Sequence, residues 1–289
     1  MSATVAKATP AVHRVAIGLF LLAVAFAAFW LGLNLMFPEL QPTGVPTLVI
    51  RLAIYGAILV GLWLALSRTD FDGRTRLATW LAIVVPLTVW LAVVWALAIE
   101  GVFRTPLGGV PRLPFAVFIP VIVALVLLMR SERVAAVLDA TPPSWLIGVQ
   151  VYRILGGIFV AQWASGNAPG AFALPAGIGD VLVGLLALPV AVYLQSGARG
   201  GRAAAYAWNV LGLADFAVAL TMGFLTAPGR FQQFALDQPN VLTSAYPTVM
   251  IPAFGVPTSI ILHGLSLWQL RRTSRKQMIA PSDAGQSTT

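Results

Sequence analysis

Long apolar segments follow one another along the chain, separated by short polar stretches that contain proline and glycine. Each segment is close to the roughly 20 apolar residues that a helix needs to cross a bilayer. The pattern predicts an all-α fold, a polytopic transmembrane helix bundle. The eight predicted spans are residues 15–37, 47–66, 77–100, 113–129, 145–163, 171–194, 204–226 and 249–270.

The two ends of the chain fall outside this pattern. Residues 1–14 are predicted to form an N-terminal tail, and residues 271–289 a basic and then disordered tail. Residues 15–270 are predicted to form a single transmembrane domain. The first apolar segment counts as a span, because it is too long for a signal-peptide core and has no clear cleavage signal.

Lysine and arginine are distributed unevenly between the loops. With the N-terminus inside, the inside segments hold 13 of the 18 Lys and Arg residues and the outside loops hold 3. Cytoplasmic loops of membrane proteins carry an excess of positive charge. Both ends of the chain are therefore predicted to lie in the cytoplasm.

Composition narrows the range of functions. The chain is 58% hydrophobic and 10% charged, whereas soluble domains carry about 25% charged residues. The net charge of +8 is distributed as loop charge that contacts anionic lipid, so lipids are the expected partners and no nucleic acid is needed. The absence of cysteine excludes disulfides and cysteine-ligated metals, and no cofactor is expected.

Three charged residues lie near the middle of three consecutive spans: Arg153, Asp180 and Asp215. A charge at the bilayer centre is costly and usually faces a partner or a water-filled cavity. The sequence therefore predicts a buried cluster in which Arg153 lies between the two aspartates.

The sixth span shows how one of these charges is oriented. Ala173, Gly177, Asp180, Gly184 and Ala187 recur at steps of three and four residues, which places them on one helix face. Small residues let a neighbouring helix approach closely. Asp180 is therefore predicted to point at protein rather than at lipid.

Neighbouring polar residues are candidate members of the cluster. Gln150 and Gly157 are predicted to share the face of Arg153, and Asn209 lies on the seventh span, so both amides are expected to hydrogen-bond with the charges. His263, on the eighth span, is either a further member or a packing residue. It is the one histidine well inside a span, so neither a bis-histidine haem nor a metal site is expected.

Arg51 is the other arginine within a span, near its outer end. A long arginine stem can lie along apolar surface while its guanidinium stays in water. We expect Arg51 to reach the interface in this way.

One arginine cannot neutralise two carboxylates, so one aspartate is expected to hold a proton or a cation. Three hypotheses follow: a transporter or channel-like protein for a small solute or ion, a structural subunit whose cluster only locks helices, and an intramembrane enzyme with Asp180 and Asp215 as its acid–base pair. The first hypothesis assigns the binding site to Arg153, Asp180, Asp215, Gln150, Asn209 and His263.

The segment Gly177-Ile-Gly-Asp180 resembles the Gly-x-Gly-Asp motif of intramembrane aspartyl proteases. The resemblance implies that Asp180 and Asp215 are two carboxylates that share a proton and activate water. The chain departs from that family, because the partner aspartate follows the motif here instead of preceding it. The Tyr-Asp pair and the Pro-Ala-Leu motif of the family are also missing.

A longer block begins at Val151-Tyr-Arg153, continues through Phe172-Ala-Leu-Pro-Ala-Gly-Ile-Gly-Asp180 and includes Trp208-Asn209-x-x-Gly212-x-x-Asp215. This block resembles a group of uncharacterised bacterial integral membrane proteins. The resemblance covers spans five to seven. It implies a bacterial inner membrane and no particular activity.

Overall fold

The computed structural model describes residues 9–279, with side chains described as far as Ser274. Within that range eight helices are long and apolar enough to cross a membrane, which confirms the predicted eight-span helix bundle. The helices are α1 (Pro10–Met36), α2 (Val45–Leu66), α3 (Gly73–Ile99), α4 (Leu113–Arg130), the short α5 (Glu132–Ala140), α6 (Ser144–Ala164), α7 (Gly170–Gln195), α8 (Gly201–Thr226) and α9 (Ile251–Ser274, helical on to Ile279).

The helices reach further into the predicted tails than the sequence indicated. Helix α1 begins at Pro10, where a proline without an N–H is tolerated, and the Thr9 side chain accepts a hydrogen bond from the Val12 amide. Helix α9 continues to Ile279 instead of ending at residue 270. The rest of the predicted tails, residues 1–8 and 280–289, lies outside the described residues.

Two contacts place the start of α1 and the end of α9 at the same end of the bundle. The Tyr193 hydroxyl of α7 hydrogen-bonds with the His13 ring of α1 at 2.5 Å, and Arg202 of α8 donates to the Leu270 carbonyl of α9 at 2.7 Å. We call this end, with connections 67–72, 131–143 and 196–200, the basic end. The opposite end, with connections 37–44, 100–112, 165–169 and 227–250, is the loop end.

The orientation of the bundle stays a prediction, with the basic end in the cytoplasm because of its positive charge. Reporter fusions at Gly73 and Gly200 should read inside, and fusions at Gly108 and Asn167 should read outside. Fusions that place the two termini on opposite sides would contradict the predicted topology.

Helices α6 and α9 form the centre of the bundle. Buried residues make up 67% and 61% of their apolar windows, compared with 11–28% in the other six spans. The other six spans hold fewer fully buried residues and surround these two. Polar side chains on α6 and α9 are consequently surrounded by protein.

The middle of α6, Val149–Gly157, is a 3₁₀ helix. A 3₁₀ helix has three residues per turn, and runs longer than three or four residues are uncommon. Residues three apart therefore align, so Arg153 shares its face with Gly156. The α-helical spacing predicted Gly157 at that place instead. A Cβ at Gly156 would meet the carboxyl group of Asp180, whereas one at Gly157 would meet Val181.

The prolines of the eighth span lie in its first two turns. Ile251–Gly255 form a π-helical turn that contains Pro252, and the α-helix runs from Val256 onward. The first turn of α9, at the loop end, is therefore π-helical. Single π-turns in helices are frequent at functional sites.

The stripe of small residues on α7 packs against α6, as its spacing predicted. A Cβ at Gly177 would lie 2.8 Å from Val160 Cγ2, and a Cβ at Gly184 would lie 2.6 Å from the backbone nitrogen of Ile154. Both distances are too short for a side chain, so only glycine allows this approach. The contact sets the depth of Asp180 relative to the 3₁₀ segment of α6.

Candidate functional site

The structure brings the three charged span residues together between α6, α7 and α8. Arg153 Nε donates to Asp180 Oδ1 at 2.8 Å, and Arg153 Nη2 donates to Asp215 Oδ2. The Arg153 side chain is 1% exposed, whereas those of Asp180 and Asp215 are 15% and 8% exposed. One guanidinium thus binds a carboxylate from each neighbouring helix, and one negative charge is in excess when both carboxylates are ionised.

The remaining nitrogen of Arg153 faces α9. Its Nη1 lies 3.2 Å from His263 Nε2. A guanidinium can only donate, so Nε2 must accept, and the proton of the neutral ring is then on Nδ1. His263 Nδ1 lies 2.9 Å from Asn209 Oδ1, which accepts that proton. His263 therefore belongs to the cluster, as a neutral ring with one tautomer.

The amide of Asn209 completes this chain of hydrogen bonds. Its Nδ2 donates to the Ala205 carbonyl at 2.8 Å and to Ser266 Oγ at 3.1 Å. Ser266 was not among the predicted residues, although its position three residues after His263 puts both on one face of α9. We call Arg153, Asp180, Asp215, Asn209, His263 and Ser266 the midplane cluster.

Gln150 does not join the midplane cluster. Its amide nitrogen donates to the Leu146 carbonyl at 3.4 Å, and its Oε1 has no hydrogen-bond partner among the described residues. The reason is that the guanidinium of Arg153 is already bound by two carboxylates, a histidine and a backbone carbonyl. Gln150 is fully buried one 3₁₀ turn away.

An aromatic ring and two glycines pack around the charges. The Arg153 Cζ lies 3.9 Å from the centroid of the Phe216 ring, a cation–π contact. A Cβ at Gly212 would lie 2.9 Å from Arg153 Nη1, and a Cβ at Gly179 would meet the Asp215 carboxylate. A side chain at either glycine would displace a charged group of the cluster.

Arg51 does not reach the interface, contrary to the snorkelling prediction. Counted over the whole residue, Arg51 and Arg153 are each 3% exposed. The Arg51 Cζ lies 4.3 Å from the Trp95 ring centroid and 5.9 Å from that of Tyr246. Its Nε and Nη1 have no hydrogen-bond partner within the described part of the chain. Of these two equally buried arginines, Arg153 is paired with carboxylates, and no ion pair of Arg51 is found among the described residues.

A cavity of about 370 Å³ leads from the loop end to the midplane cluster, and we call it the loop-end cavity. Among the described residues that line it, Asp180 is the only charged one. A much smaller cavity, about 20 Å³, borders Arg153 and also touches Asp180. Asp180 is therefore the charged group of the cluster that faces the larger space. Five phenylalanines line the loop-end cavity: Phe118, Phe159, Phe172, Phe216 and Phe224.

The two carboxylates do not form a free pair. Catalysis by a carboxylate dyad requires the two groups to share a proton and to activate a water. Here Asp180 and Asp215 are each bound by a nitrogen of the same guanidinium. This geometry gives no support to the catalytic roles that the Gly-x-Gly-Asp resemblance implies.

A protein-family model, Domain of unknown function (DUF8737), matches residues 110–271, more than half of the chain. The matched region begins just before α4 and extends through most of α9. It contains every residue of the midplane cluster. No curated protein and no solved structure matches the chain.

Proposed function

We propose that this chain, which belongs to the DUF8737 family, a domain of unknown function, is a multi-pass membrane protein that transports a small solute or ion. The geometry of the midplane cluster supports the proposal, which assigns the binding of the solute or ion to Asp180. The observation that carries the proposal is the loop-end cavity, which ends at the carboxylate of a cluster with one negative charge in excess. The proposed location is the inner membrane of a bacterium.

The excess carboxylate supports transport over a purely structural role. Arg153 supplies one positive charge for two carboxylates, and uncompensated charge inside a membrane is costly. A proton or a cation therefore has to balance the second carboxylate. Asp180 is the more exposed of the two and faces the cavity, so the exchange takes place there.

The alternative is a structural or assembly subunit whose cluster locks α6, α7, α8 and α9 together. The saturated hydrogen bonding of Arg153 favours this reading, since all three of its nitrogens are bound. A helix lock needs no access from the surface, whereas a transport site does. Flux through the membrane separates the two functions.

We expect Asp180→Asn to abolish flux and to preserve the fold. Asparagine keeps the size of the side chain and still accepts the hydrogen bond from Arg153, but it cannot take up a proton or hold a cation. The measurement is the flux of protons, Na⁺ and K⁺ into liposomes that contain purified wild type or variant. Melting curves in detergent would show that both proteins are folded.

Asp72→Asn is the matched control for this substitution. Asp72 caps α3 at the basic end by accepting a hydrogen bond from the Thr75 amide, and asparagine caps helices equally well. This variant should transport like wild type. Equal flux through wild type and Asp180→Asn, or no flux from wild type with any of these ions or the organic cation tested below, would favour the structural role.

A further inference from the structure

We infer that the loop-end cavity binds an organic ammonium ion with an apolar body, whose charge lies at Asp180 and whose body lies among the phenyl rings. This inference deepens the proposed function and rests on it. The cavity volume of about 370 Å³ falls within the range of about 300–1,000 Å³ that is common for small-molecule sites. A proton or a bare metal ion needs far less space.

The charge at the inner end of the cavity selects a cation. Asp180 lines the cavity, whereas Arg153, 1% exposed, does not. No lysine, arginine or histidine is found among the described residues that line it. An anion would therefore meet a carboxylate with no accessible positive charge, and a neutral molecule would form no ion pair with that carboxylate.

The walls of the cavity favour an organic cation over a divalent metal ion. Calcium takes six to eight oxygen ligands and magnesium six, but the inner end offers one carboxylate between apolar side chains. The described residues contain no group of three His, Cys, Asp or Glu that could hold a metal ion. Calcium and magnesium ions therefore lack the ligands that would replace their water.

Aromatic rings in the cavity wall can contact both the ammonium group and the apolar body of such a ligand. Phe159 and Phe172 pack edge to face with ring centroids 5.2 Å apart, and both line the cavity next to Ala176, one turn before Asp180. The negative face of an aromatic ring attracts an ammonium group, and the rest of the ring covers apolar surface. The same wall would hold both parts of such a ligand.

Three probes with the same phenyl body test the charge selection: 2-phenylethylammonium, 2-phenylethanol and 3-phenylpropanoate. Binding to purified protein in detergent is measured by calorimetric titration. We expect the ammonium ion to bind and the alcohol and the carboxylate to bind about tenfold to a hundredfold more weakly. Asp180→Asn should reduce ammonium binding by a similar factor, and Asp72→Asn should leave it unchanged.

A second variant keeps the test valid if Asp180→Asn does not fold. Ala219→Leu places a larger side chain in the wall of the cavity and leaves the carboxylate intact, so it should weaken binding of the ammonium ion while the melting curve stays close to that of wild type. Equal binding of all three probes, or ammonium binding that neither variant weakens, would overturn the inference.

The experiments distinguish a failure of the proposed ligand from a failure of the proposed transport function. If 2-phenylethylammonium does not bind but proton flux depends on Asp180, the choice of ligand is wrong and the transport function stands. If the ammonium ion binds through Asp180 but neither it nor an inorganic ion crosses the liposome membrane, transport is wrong and the ligand site stands.

Discussion

Arg153→Leu should lower the free energy of unfolding by about 3–5 kcal/mol, the usual cost of leaving a buried charge unpaired. Asp180 and Asp215 would lose the cation that binds both of them, and His263 Nε2 would lose its donor. The stability is measured by unfolding the purified protein in mixed detergent micelles. Asp180→Asn and Asp215→Asn should each cost less, because Arg153 keeps one carboxylate in either variant.

Arg51→Leu is the matched control, because Arg51 is as buried as Arg153. The substitution removes a cation–π contact worth about 0.5–2 kcal/mol, but it also removes two buried nitrogens that have no hydrogen-bond partner within the described chain. We therefore expect a small net change. If Arg153→Leu costs no more than Arg51→Leu, pairing with the carboxylates does not stabilise the bundle.

A triple variant tests whether unpaired charges cause the loss of stability in Arg153→Leu. Adding Asp180→Asn and Asp215→Asn to Arg153→Leu removes every charge of the midplane cluster. A buried amide without a partner costs far less than a buried charge without a partner. The triple variant should therefore be more stable than Arg153→Leu alone, whereas a loss of packing alone would leave it equally unstable.

The spans and the central charges follow from the sequence because both have strong physical causes. A bilayer requires about 20 apolar residues per helix, which fixes the number of spans. An ionised residue in such a segment must face protein, and the small-residue stripe around Asp180 indicates which face of α7 is buried. Those constraints were enough to predict that Arg153, Asp180 and Asp215 belong together.

Departures from regular α-helical geometry were not predictable from periodicity. The spacing of Gln150, Arg153 and Gly157 assumes 3.6 residues per turn, but the 3₁₀ segment of α6 turns every three residues. The face therefore shifts to Gly156. The Arg51 guanidinium is covered by Trp95 of α3 and by Tyr246 of the connection 227–250. Both residues are distant from Arg51 in sequence, so the local pattern could not predict the contact. The loop-end cavity likewise depends on how five helices meet.

The glycine at position 184 should be among the least replaceable residues of α7. Gly184→Ala places a Cβ 2.6 Å from the backbone nitrogen of Ile154, directly after Arg153 in the 3₁₀ segment. Backbone cannot move aside as a side chain can, so α7 must shift away from α6. Overpacking of this kind typically costs about 1–3 kcal/mol. Since Asp180 lies one turn earlier on the same face, its 2.8 Å hydrogen bond with Arg153 should lengthen as well.

Gly56→Ala on α2 separates this close contact from the general effect of the substitution. A Cβ at Gly56 would have no atom within 4 Å outside its own helix backbone, and alanine favours helices over glycine by about 0.5–1 kcal/mol. Gly56→Ala should therefore be neutral or stabilising in the same unfolding measurement, whereas Gly184→Ala is destabilising. Combining Gly184→Ala with Ile154→Ala, which removes the nearby Ile154 side chain, should not restore stability, because the obstacle is backbone. Full recovery of stability in that double variant would mean that the Ile154 side chain, and not the backbone, blocks a Cβ at position 184. Glycine would then not be required there.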